Sequence, residues 1–526
     1  MLSRLSGMVR DMAMAWAFGI GADVAALLVA FRLSHLLRRV LGEGAMQTAL
    51  VPHFEQLRHE DSKRKDNKRA SQFFIDLIAS LSLLTFVIIL AIMGLLYPLY
   101  SFEILSAGNK EIAYLAFLMM PSLLFICLFG LNASLLQCEK KFFIPSMAPV
   151  VFNCIWIIGV MYAYSNQNNT PMTTLALFIT LACFSQWAFT LPVVYKTLKS
   201  LNGNVIPKKF TLFSCDVLRL KTPLALGIVG VAASQVNNAL DALFARWASD
   251  EGPAILWYAI RLQQLPLALF GIALAGALLP PLSRAAKAKD IPLFSQFLSF
   301  AITKTFALML PITALLFLLG DKAVALIYGH GTFSDFSIAT TTQALWGYSL
   351  GLTPMAMVLI LAPACYAQGN YKTPSLAATC SVAINIGLNF VMVQGLHLGG
   401  ASIAVATSVC ALVNCVWLLS YVSKNSSAMP AVMPFAIPPV IQWKRVQRIS
   451  LVTGLAGLSI ILYDLLILKE VSAWSILQGQ IPHYGRPLWG QLLHLSAKGL
   501  LFIAVFALLS GELSMQRKLD PAPSDA

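Results

Sequence analysis

The feature that most constrains this chain is the recurrence of long apolar stretches from one end to the other. A helix of about 20 mostly apolar residues spans the hydrocarbon core of a bilayer, and fourteen such segments can be marked in the 526 residues. Only 11% of the residues are charged and the mean hydropathy is +0.74, whereas about a quarter of a soluble domain is charged. We therefore predict an all-α polytopic membrane protein without a large soluble catalytic domain.

The predicted membrane helices alternate with short polar loops, and the second of them contains a break near Gly42 and Gly44. They cover residues 3–20, 22–57, 71–99, 111–138, 143–164, 172–195, 222–247, 253–283, 293–319, 336–367, 374–394, 400–423, 449–468 and 488–511.

The net charge of +14 is explained mostly by topology. If the N-terminus is cytoplasmic, the inside loops hold 24 Lys and Arg and the outside loops hold five, which is the bias typical of membrane proteins. We therefore predict 14 spans with both termini in the cytoplasm, and no nucleic-acid partner. Eight basic residues remain inside the helices: Arg4, Arg10, Arg32, Arg38, Arg39, Arg261, Lys304 and Lys498.

The chain also repeats itself. A shift of 229 residues lays Ala30, Arg32, Leu33, Leu36, Gly42, Leu50 and Pro52 on Ala259, Arg261, Leu262, Leu265, Gly271, Leu279 and Pro281. Each copy has six helices, an even number, so we predict two parallel six-helix repeats with two extra C-terminal helices, an architecture of alternating-access transporters. The predicted parts are an N-lobe at 1–200, a cytoplasmic linker at 201–221, a C-lobe at 222–424, and the last two helices with a tail at 425–526.

Arginines within membrane helices are expensive, at about 2.5 to 3.5 kcal/mol each on insertion scales, so they must face protein or water. Arg39 and Glu43 could pair within one helix, as could Arg4 and Asp11. Arg10 and Arg38 have no obvious partner in their own helices, because sequence neighbours such as Asp11 leave the helix in another direction.

Arg32 and Arg261 occupy equivalent positions in the two repeats, which predicts that they face each other across the space between the lobes. Opposed guanidinium groups suit phosphate oxygens, although an arginine at a helix end can also reach the membrane surface. Asp241 follows Gln235, Asn237 and Asn238 and could bind a cation or a sugar, or could join helices together.

Proline and glycine residues in the second and eighth predicted helices, 22–57 and 253–283, predict that these helices bend. Bending of helices that line a cavity is what gating requires. The alternative is a kinked helix that packs without moving. These prolines and glycines are Gly42, Gly44, Pro52, Pro266, Gly271, Pro280 and Pro281. Neither a Walker A loop nor an HExxH motif is present in the sequence. We predict a transporter without catalytic residues, metal or cofactor.

Several motifs of the sequence resemble those of the MurJ (MviN) family of lipid II flippases, within the MATE-like MOP superfamily. The likeness rests on Ser3, Arg4, Gly7, Arg10, Asp11, Arg32, Arg38, Arg39, Glu43, Gly44, Pro52, Phe142, Pro145, Pro149, Asn153, Tyr258, Arg261, Pro266, Gly271, Tyr348, Gly351, Pro363, Lys372 and Pro374.

The resemblance implies a 14-helix bacterial inner-membrane protein that moves undecaprenyl diphosphate-linked disaccharide pentapeptide outward for peptidoglycan synthesis. It implies a cationic cavity whose arginines are Arg4, Arg10, Arg38 and Arg261, a groove for the lipid tail in the last two helices, and possible cell-wall synthesis proteins as partners. The candidate substrate-binding residues are Arg4, Arg10, Asp11, Arg32, Arg38, Arg39, Arg261, Gln264 and Asp241.

The chain departs from the family where acids are common. Ala25 stands two residues after Asp23, at a position where the family often has an Asp. Ile260 and Gln264 flank Arg261, where some members carry acids, and Leu359 stands where some members carry a lysine. Helix 1 is also short for a membrane span, so we expect the natural start to lie upstream of Met1.

Three other functions compete with a flippase. An exporter of MATE or O-antigen type would favour twelve helices and an acidic cavity. A membrane glycosyltransferase or acyltransferase would need an Asp or His dyad at one membrane face, and a cell-wall scaffold would not need buried arginines.

Overall fold

The described residues of the computed structural model are mostly helical, without strands, and they include helix in each of the fourteen predicted segments. They cover 2–36, 38, 45–64, 68–102, 105–166, 170–201, 210–288, 290–427, 442–468, 476 and 488–510.

The helices of the first half are α1 (Leu2–Phe18), α2 (Ala22–Ser34), α3 (Ala45–Arg64), α4 (Lys68–Ser101), α5 (Ala107–Met119), α6 (Ser122–Cys138), α7 (Phe143–Ser165), α8 (Pro171–Leu201), α9 (Cys215–Leu218) and α10 (Lys221–Ala248). Those of the second half are α11 (Gly252–Pro266), α12 (Ile272–Lys287), α13 (Ile291–Tyr328), α14 (Asp335–Leu350), α15 (Leu352–Ala367), α16 (Lys372–Phe390), α17 (Ala401–Ser427), α18 (Trp443–Tyr463) and α19 (Leu488–Ser510).

Length and apolar composition qualify many of these helices as membrane spans. Within the described ranges ten spans pass both criteria, with α11 and α12 counted as one span and α14 and α15 as another, or eleven if α5 and α6 form one broken span. The chain is therefore a multi-pass membrane protein.

The segment predicted as one helix over 111–138 is two helices, α5 and α6, with axes 46° apart. Pro121 stands at the junction and precedes α6. Proline lacks an N–H and its ring collides with the preceding turn, so the helix bends there.

The eighth predicted membrane helix, 253–283, departs from α-helical geometry between Pro266 and Gly271, as these two residues predict. A π-helical turn at Leu267–Gly271 joins α11 to α12, and such turns widen and bend a helix. Pro280 and Pro281 were also expected to permit a break, but both lie inside the continuous helix α12. Pro52 likewise lies inside α3. The break predicted at Gly42 and Gly44 lies outside the described residues.

Contacts divide the chain into two compact units. The first comprises Met1–Trp257, Gly331–Phe333 and Asn389–Gly400, and the second comprises Tyr258–His330, Ser334–Leu388 and Ala401–Ala526. In the first unit α7 packs on α1 and α8, and α2 packs on α5 and α10. In the second unit α17 packs on α14 and α15, and α13 packs on α18 and α19.

A short loop from the second half of the sequence closes the end of α1. Gly331 has φ +65°, a left-handed conformation that glycine adopts without strain. This turn lets the backbone N–H of Thr332 donate to the carbonyl oxygen of Trp16 at 3.1 Å, so one carbonyl near the C-terminus of α1 is satisfied.

Candidate anion-binding site

Arg10 and Asp11 lie side by side on α1, and both are buried, with 6% and 2% of their surface exposed. Arg10 donates from Nε and Nη2 to Oδ1 of Asp11, at 3.0 and 2.7 Å. Its Nη1 donates to Oδ1 of Asn153 on α7 at 3.1 Å. Burial of a charge without partners is prohibitively costly, so this pairing is what allows a guanidinium inside the helix bundle.

The prediction that Arg10 has no partner in its own helix is wrong. Adjacent residues leave a helix about 100° apart, but the long arginine side chain curls around the helix to reach Asp11. The attraction between the two charges is weakly screened in apolar surroundings and outweighs the loss of side-chain freedom. The two residues therefore form an ion pair.

Two indole rings flank the guanidinium of Arg10. Its Cζ lies 4.5 Å from the ring centroid of Trp156 on α7 and 5.9 Å from that of Trp257 on α11. Tryptophan is the aromatic residue that best attracts a cation to its face. Nε1 of Trp257 also donates to Oδ1 of Asp11 at 3.3 Å. We call Arg10, Asp11, Asn153, Trp156 and Trp257 the arginine cage.

Asn153 orients the cage relative to the start of α1. Its Nδ2 donates to Oγ of Ser6 at 2.8 Å and to the carbonyl oxygen of Ser3 at 3.3 Å. Its Oδ1 accepts from Arg10, so the two ends of one amide hold α7 and α1 together. These hydrogen bonds are expected to keep the guanidinium in a defined orientation.

The cage retains hydrogen-bonding capacity. A guanidinium has five N–H groups, and the bonds to Asp11 and Asn153 use three of them within the described part of the chain. Asp11 therefore compensates the charge of Arg10 without accepting from all of its N–H groups. An anion that approached Arg10 could therefore be bound by hydrogen bonds.

Arg32 on α2 belongs to the same neighbourhood. Its Cζ lies 5.6 Å from the ring centroid of Trp257, so Trp257 contacts two guanidinium groups. Phe31 packs edge-on against both indoles, with centroids 5.0 Å from Trp156 and 5.8 Å from Trp257. The structure thus brings together Arg10, Asp11 and Arg32 from the predicted set.

The other predicted arginines of the first unit lie nearby along the chain. Arg4 is exposed on α1, six residues before Arg10 and thus about 9 Å along the helix axis. Arg38 follows the end of α2 and is half-buried. Arg39 lies outside the described residues, as does Glu43.

Arg261 and Gln264 belong to the second unit. Arg261 is half-buried and Gln264 is exposed, three residues apart on α11, which places them on one face. The neighbouring Gln263 is buried and its Nε2 lies 3.2 Å from Sδ of Met355. This contact joins the second-unit part of α11 to α15.

Asp241, on α10, accepts hydrogen bonds from two asparagines of the first unit. Asn389, at the end of α16, donates from Nδ2 to its Oδ1 at 2.8 Å, and Asn237 donates to its Oδ2 at 3.3 Å. The carboxylate therefore joins α10 to Asn389 within the first unit, which fits the alternative that Asp241 holds parts of the bundle together. A role in binding a cation or sugar stays a prediction.

The sequence reasoning missed Trp156 and Trp257 as parts of the site. Tryptophans in membrane helices are usually lipid-facing or core residues, so no pattern marked these two. Asn153 belongs to the residues on which the family resemblance rests, and this was the only sequence feature that pointed to it. Asn389 was not identified, because its partner Asp241 lies 148 residues away in sequence.

A model of the family described as "Lipid II flippase MurJ" matches residues 14–481. The chain belongs to the MurJ family of lipid II flippases. A Chlamydia pneumoniae protein named "Probable lipid II flippase MurJ" is 31% identical over 423 residues, covering 80% of this chain and 75% of that protein. A Vibrio cholerae protein of the same name is 27% identical over 506 residues, covering 89% and 93%.

Solved structures share the fold. A MurJ structure described as the inward closed conformation has a TM-score of 0.74 at 22% identity and covers 97% of both chains. An inward-facing multidrug resistance MATE transporter of the MOP superfamily has a TM-score of 0.62 at 14% identity, covering 81% of this chain and 96% of that one. The MurJ fold thus accounts for nearly the whole chain.

Proposed function

We propose that this chain carries lipid II from the cytoplasmic to the outer leaflet of the bacterial inner membrane by alternating access. The observation that carries the proposal is the buried guanidinium of Arg10, held in the arginine cage beside Arg32. A bundle that buries a cation with donor capacity suits an anionic headgroup. Membership of the MurJ family names lipid II as that cargo.

The diphosphate of lipid II is the part that the arginines would bind. Planar guanidinium groups donate two parallel hydrogen bonds to phosphate oxygens. Arg4, Arg10, Arg32, Arg38 and Arg39 would supply these donors in the first unit and Arg261 in the second. Asp11 would orient Arg10, Gln264 would add a polar contact beside Arg261, and Asp241 would contribute as a polar residue of the first unit.

The finer architecture belongs to the same proposal. We place fourteen spans in two parallel six-helix repeats plus two further helices, with lobes at 1–200 and 222–424 and both termini in the cytoplasm. The charge bias of the loops supports the orientation, and the 229-residue sequence repeat supports the division into lobes.

The last two helices would hold the undecaprenyl tail. Their surfaces carry exposed leucines along α18 and α19, among them Leu455, Leu458, Leu462, Leu500 and Leu508. Apolar side chains of this kind suit a polyprenyl chain or membrane lipid. Proteins of cell-wall synthesis are the expected protein partners.

Bending at the π-helical turn Leu267–Gly271 would supply the movement. This turn directly follows α11, the helix that carries Arg261. π-helical turns occur frequently at functional sites and are a known cause of helix kinks. Flexing of this turn would move Arg261 relative to α12.

Depletion and rescue in the native cell test the function. Cells depleted of this protein should lose the lipid II that is accessible at the outer leaflet, and a wild-type copy should restore it. Arg261→Ala and Arg10→Gln copies, expressed to the same level, should fail to restore it. Arg284→Ala is the matched control, because Arg284 is an exposed basic residue in the last turn of α12.

Two outcomes would contradict the proposal. Unchanged lipid II accessibility on depletion would remove lipid II as the cargo. Full rescue by Arg10→Gln and Arg261→Ala would remove the arginines as its binding groups.

A further inference from the structure

Trp257 makes three contacts that no other residue of the arginine cage combines. Its Nε1 donates to Oδ1 of Asp11 at 3.3 Å, and its ring lies 5.9 Å from Cζ of Arg10 and 5.6 Å from Cζ of Arg32. The residue is buried, with 6% of its surface exposed. One side chain thus touches both cations and the carboxylate that compensates one of them.

Two guanidinium groups around a single ring repel each other unless something offsets their charges. The negative face of an indole attracts both cations. Its positive N–H edge meets the carboxylate of Asp11, which also accepts two hydrogen bonds from Arg10. The indole therefore places its negative face toward the two guanidinium groups and its positive N–H edge toward the carboxylate of Asp11.

The orientation of the ring is itself constrained. Phe31, the neighbour of Arg32 in sequence, packs edge-on against Trp257 with an interplanar angle of 87°. Edge-to-face packing is a preferred arrangement of aromatic pairs. A ring held in this way can fix the positions of the guanidinium groups around it.

We propose that Trp257 is a positioning residue that holds Arg10 and Arg32 together as a two-cation site for a diphosphate. This inference rests on the proposed function and deepens it, since it names the residues that would select a diphosphate over a monophosphate. Trp156 differs, because it contacts Arg10 at 4.5 Å and so supports one arginine.

The selectivity between two lipids shows whether Trp257 positions the arginines or has a purely structural role. The probes are undecaprenyl diphosphate and undecaprenyl monophosphate, and the dissociation constant of each is measured with the purified full chain in nanodiscs. Wild type should bind the diphosphate more tightly, because two guanidinium groups meet two phosphates. The measured quantity is the ratio of the two constants.

Trp257→Leu removes both the ring and the N–H. We expect it to weaken diphosphate binding by about 30-fold, the upper range for lost cation–π contacts, with little change for the monophosphate. Trp257→Phe keeps a ring and loses only the N–H bond to Asp11, so we expect about a threefold loss. This second variant also tests the proposal if the leucine variant fails to fold.

Trp247→Leu is the matched control. Trp247 lies on α10 in the same unit, is exposed, and packs against Phe244, so both constants should stay at their wild-type values.

The outcomes distinguish the two proposals. If wild type does not bind the diphosphate lipid, the proposed function fails. If wild type binds and discriminates, but the Trp257 variants keep the wild-type ratio or lose both ligands in parallel, the function stands and the positioning role is overturned. A fall of the ratio by about 30-fold in Trp257→Leu and by about threefold in Trp257→Phe supports it.

Discussion

At the scale of single residues, the cage shows how an intramembrane arginine is tolerated. The guanidinium of Arg10 has a carboxylate, an amide oxygen and two indole faces around it. Hydropathy alone predicts that Arg10 faces protein or water, because an arginine that faces lipid is costly. Its partner could not be predicted, because helical spacing describes where Cβ atoms point and not how far a long side chain bends.

The first prediction concerns Asp11→Asn. This substitution removes the charge that compensates Arg10 and leaves a buried cation, so the chain should lose about 3 to 5 kcal/mol of stability. The measurement is the free energy of unfolding of the detergent-purified protein.

The control for that prediction is Asp250→Asn. Asp250 pairs with Arg246 at 3.1 Å but is 75% exposed at its side chain, and exposed pairs contribute about 0 to 1 kcal/mol. Equal losses in the two variants would show that the Arg10 ion pair has no special role in stability.

At the scale of elements, a segment from the predicted linker is tied to α4. Arg69 donates from Nε and Nη2 to both carboxylate oxygens of Asp216, at 3.0 and 2.9 Å. The backbone N–H of Thr211 donates to Oδ1 of Asp76, and that of Phe213 donates to Oγ of Ser80, both at 2.9 Å. Sequence indicated a linker here, but its attachment depends on contacts more than 130 residues apart.

This attachment should depend on pH. The hydrogen bonds from Arg69 hold the pKa of Asp216 below its ordinary value, against the opposing effect of partial burial. A carboxyl with a lowered pKa contributes stability above its unfolded pKa, about 3.9 for aspartate, and that contribution is lost as the pH falls through the folded value. The amides of residues 210–218 should therefore exchange hydrogen faster at acid pH, after correction for the intrinsic rate.

Asp216→Asn should raise exchange in this segment at pH 7 by about two- to fivefold, since Arg69 is partly exposed and solvent weakens the pair. It should also reduce the pH dependence of that exchange. Protection equal to wild type at both pH values would contradict a role for the Arg69 and Asp216 pair.

The two C-terminal helices carry a buried ion pair of their own. Lys498 on α19 is fully buried and pairs with Asp464, which begins the π-helical turn after α18. Nζ of Lys322 on α13 lies 3.6 Å from the other oxygen of Asp464. Lys498 was among the basic residues that topology left unexplained, and the structure gives it a role in joining α19 to α18.

Removal of one partner should cost more than removal of both. Lys498→Met leaves Asp464 buried with reduced compensation, and we expect a loss of about 3 to 5 kcal/mol. The double substitution Lys498→Met with Asp464→Leu replaces the pair by apolar groups and should recover much of that loss. Lys444→Met, at an exposed position, is the control, and a double variant no more stable than the single one would contradict this account.

At the scale of the whole molecule, the sequence predicts what hydropathy and periodicity govern. Apolar runs of 20 residues can hardly fold otherwise than as membrane helices, so helix is found in every predicted segment. Internal breaks were harder, because Pro266 disturbs its helix while Pro280 and Pro281 do not. A proline breaks a helix only where neighbouring groups do not compensate for its missing hydrogen bond, and those neighbours are distant in sequence.

The transport cycle as a whole should respond to membrane voltage. The protein returns to its starting state after each cycle, so its own arginines contribute no net charge movement, and only the cargo and any coupled ions count. Moving one net negative charge outward gains about 2.3 kcal/mol per 100 mV of inside-negative potential, or about fiftyfold in distribution.

Proteoliposomes that contain this protein and lipid II allow the measurement. A potassium diffusion potential, negative inside, should increase the fraction of lipid II accessible from outside, and collapse of the potential should restore an even distribution. Vesicles with the Arg261→Ala variant should redistribute lipid II no faster than protein-free vesicles. If the wild-type protein equilibrates lipid II between the leaflets faster than protein-free vesicles do, an even distribution under a sustained potential would mean that a compensating ion accompanies each diphosphate, because only electroneutral movement is insensitive to voltage.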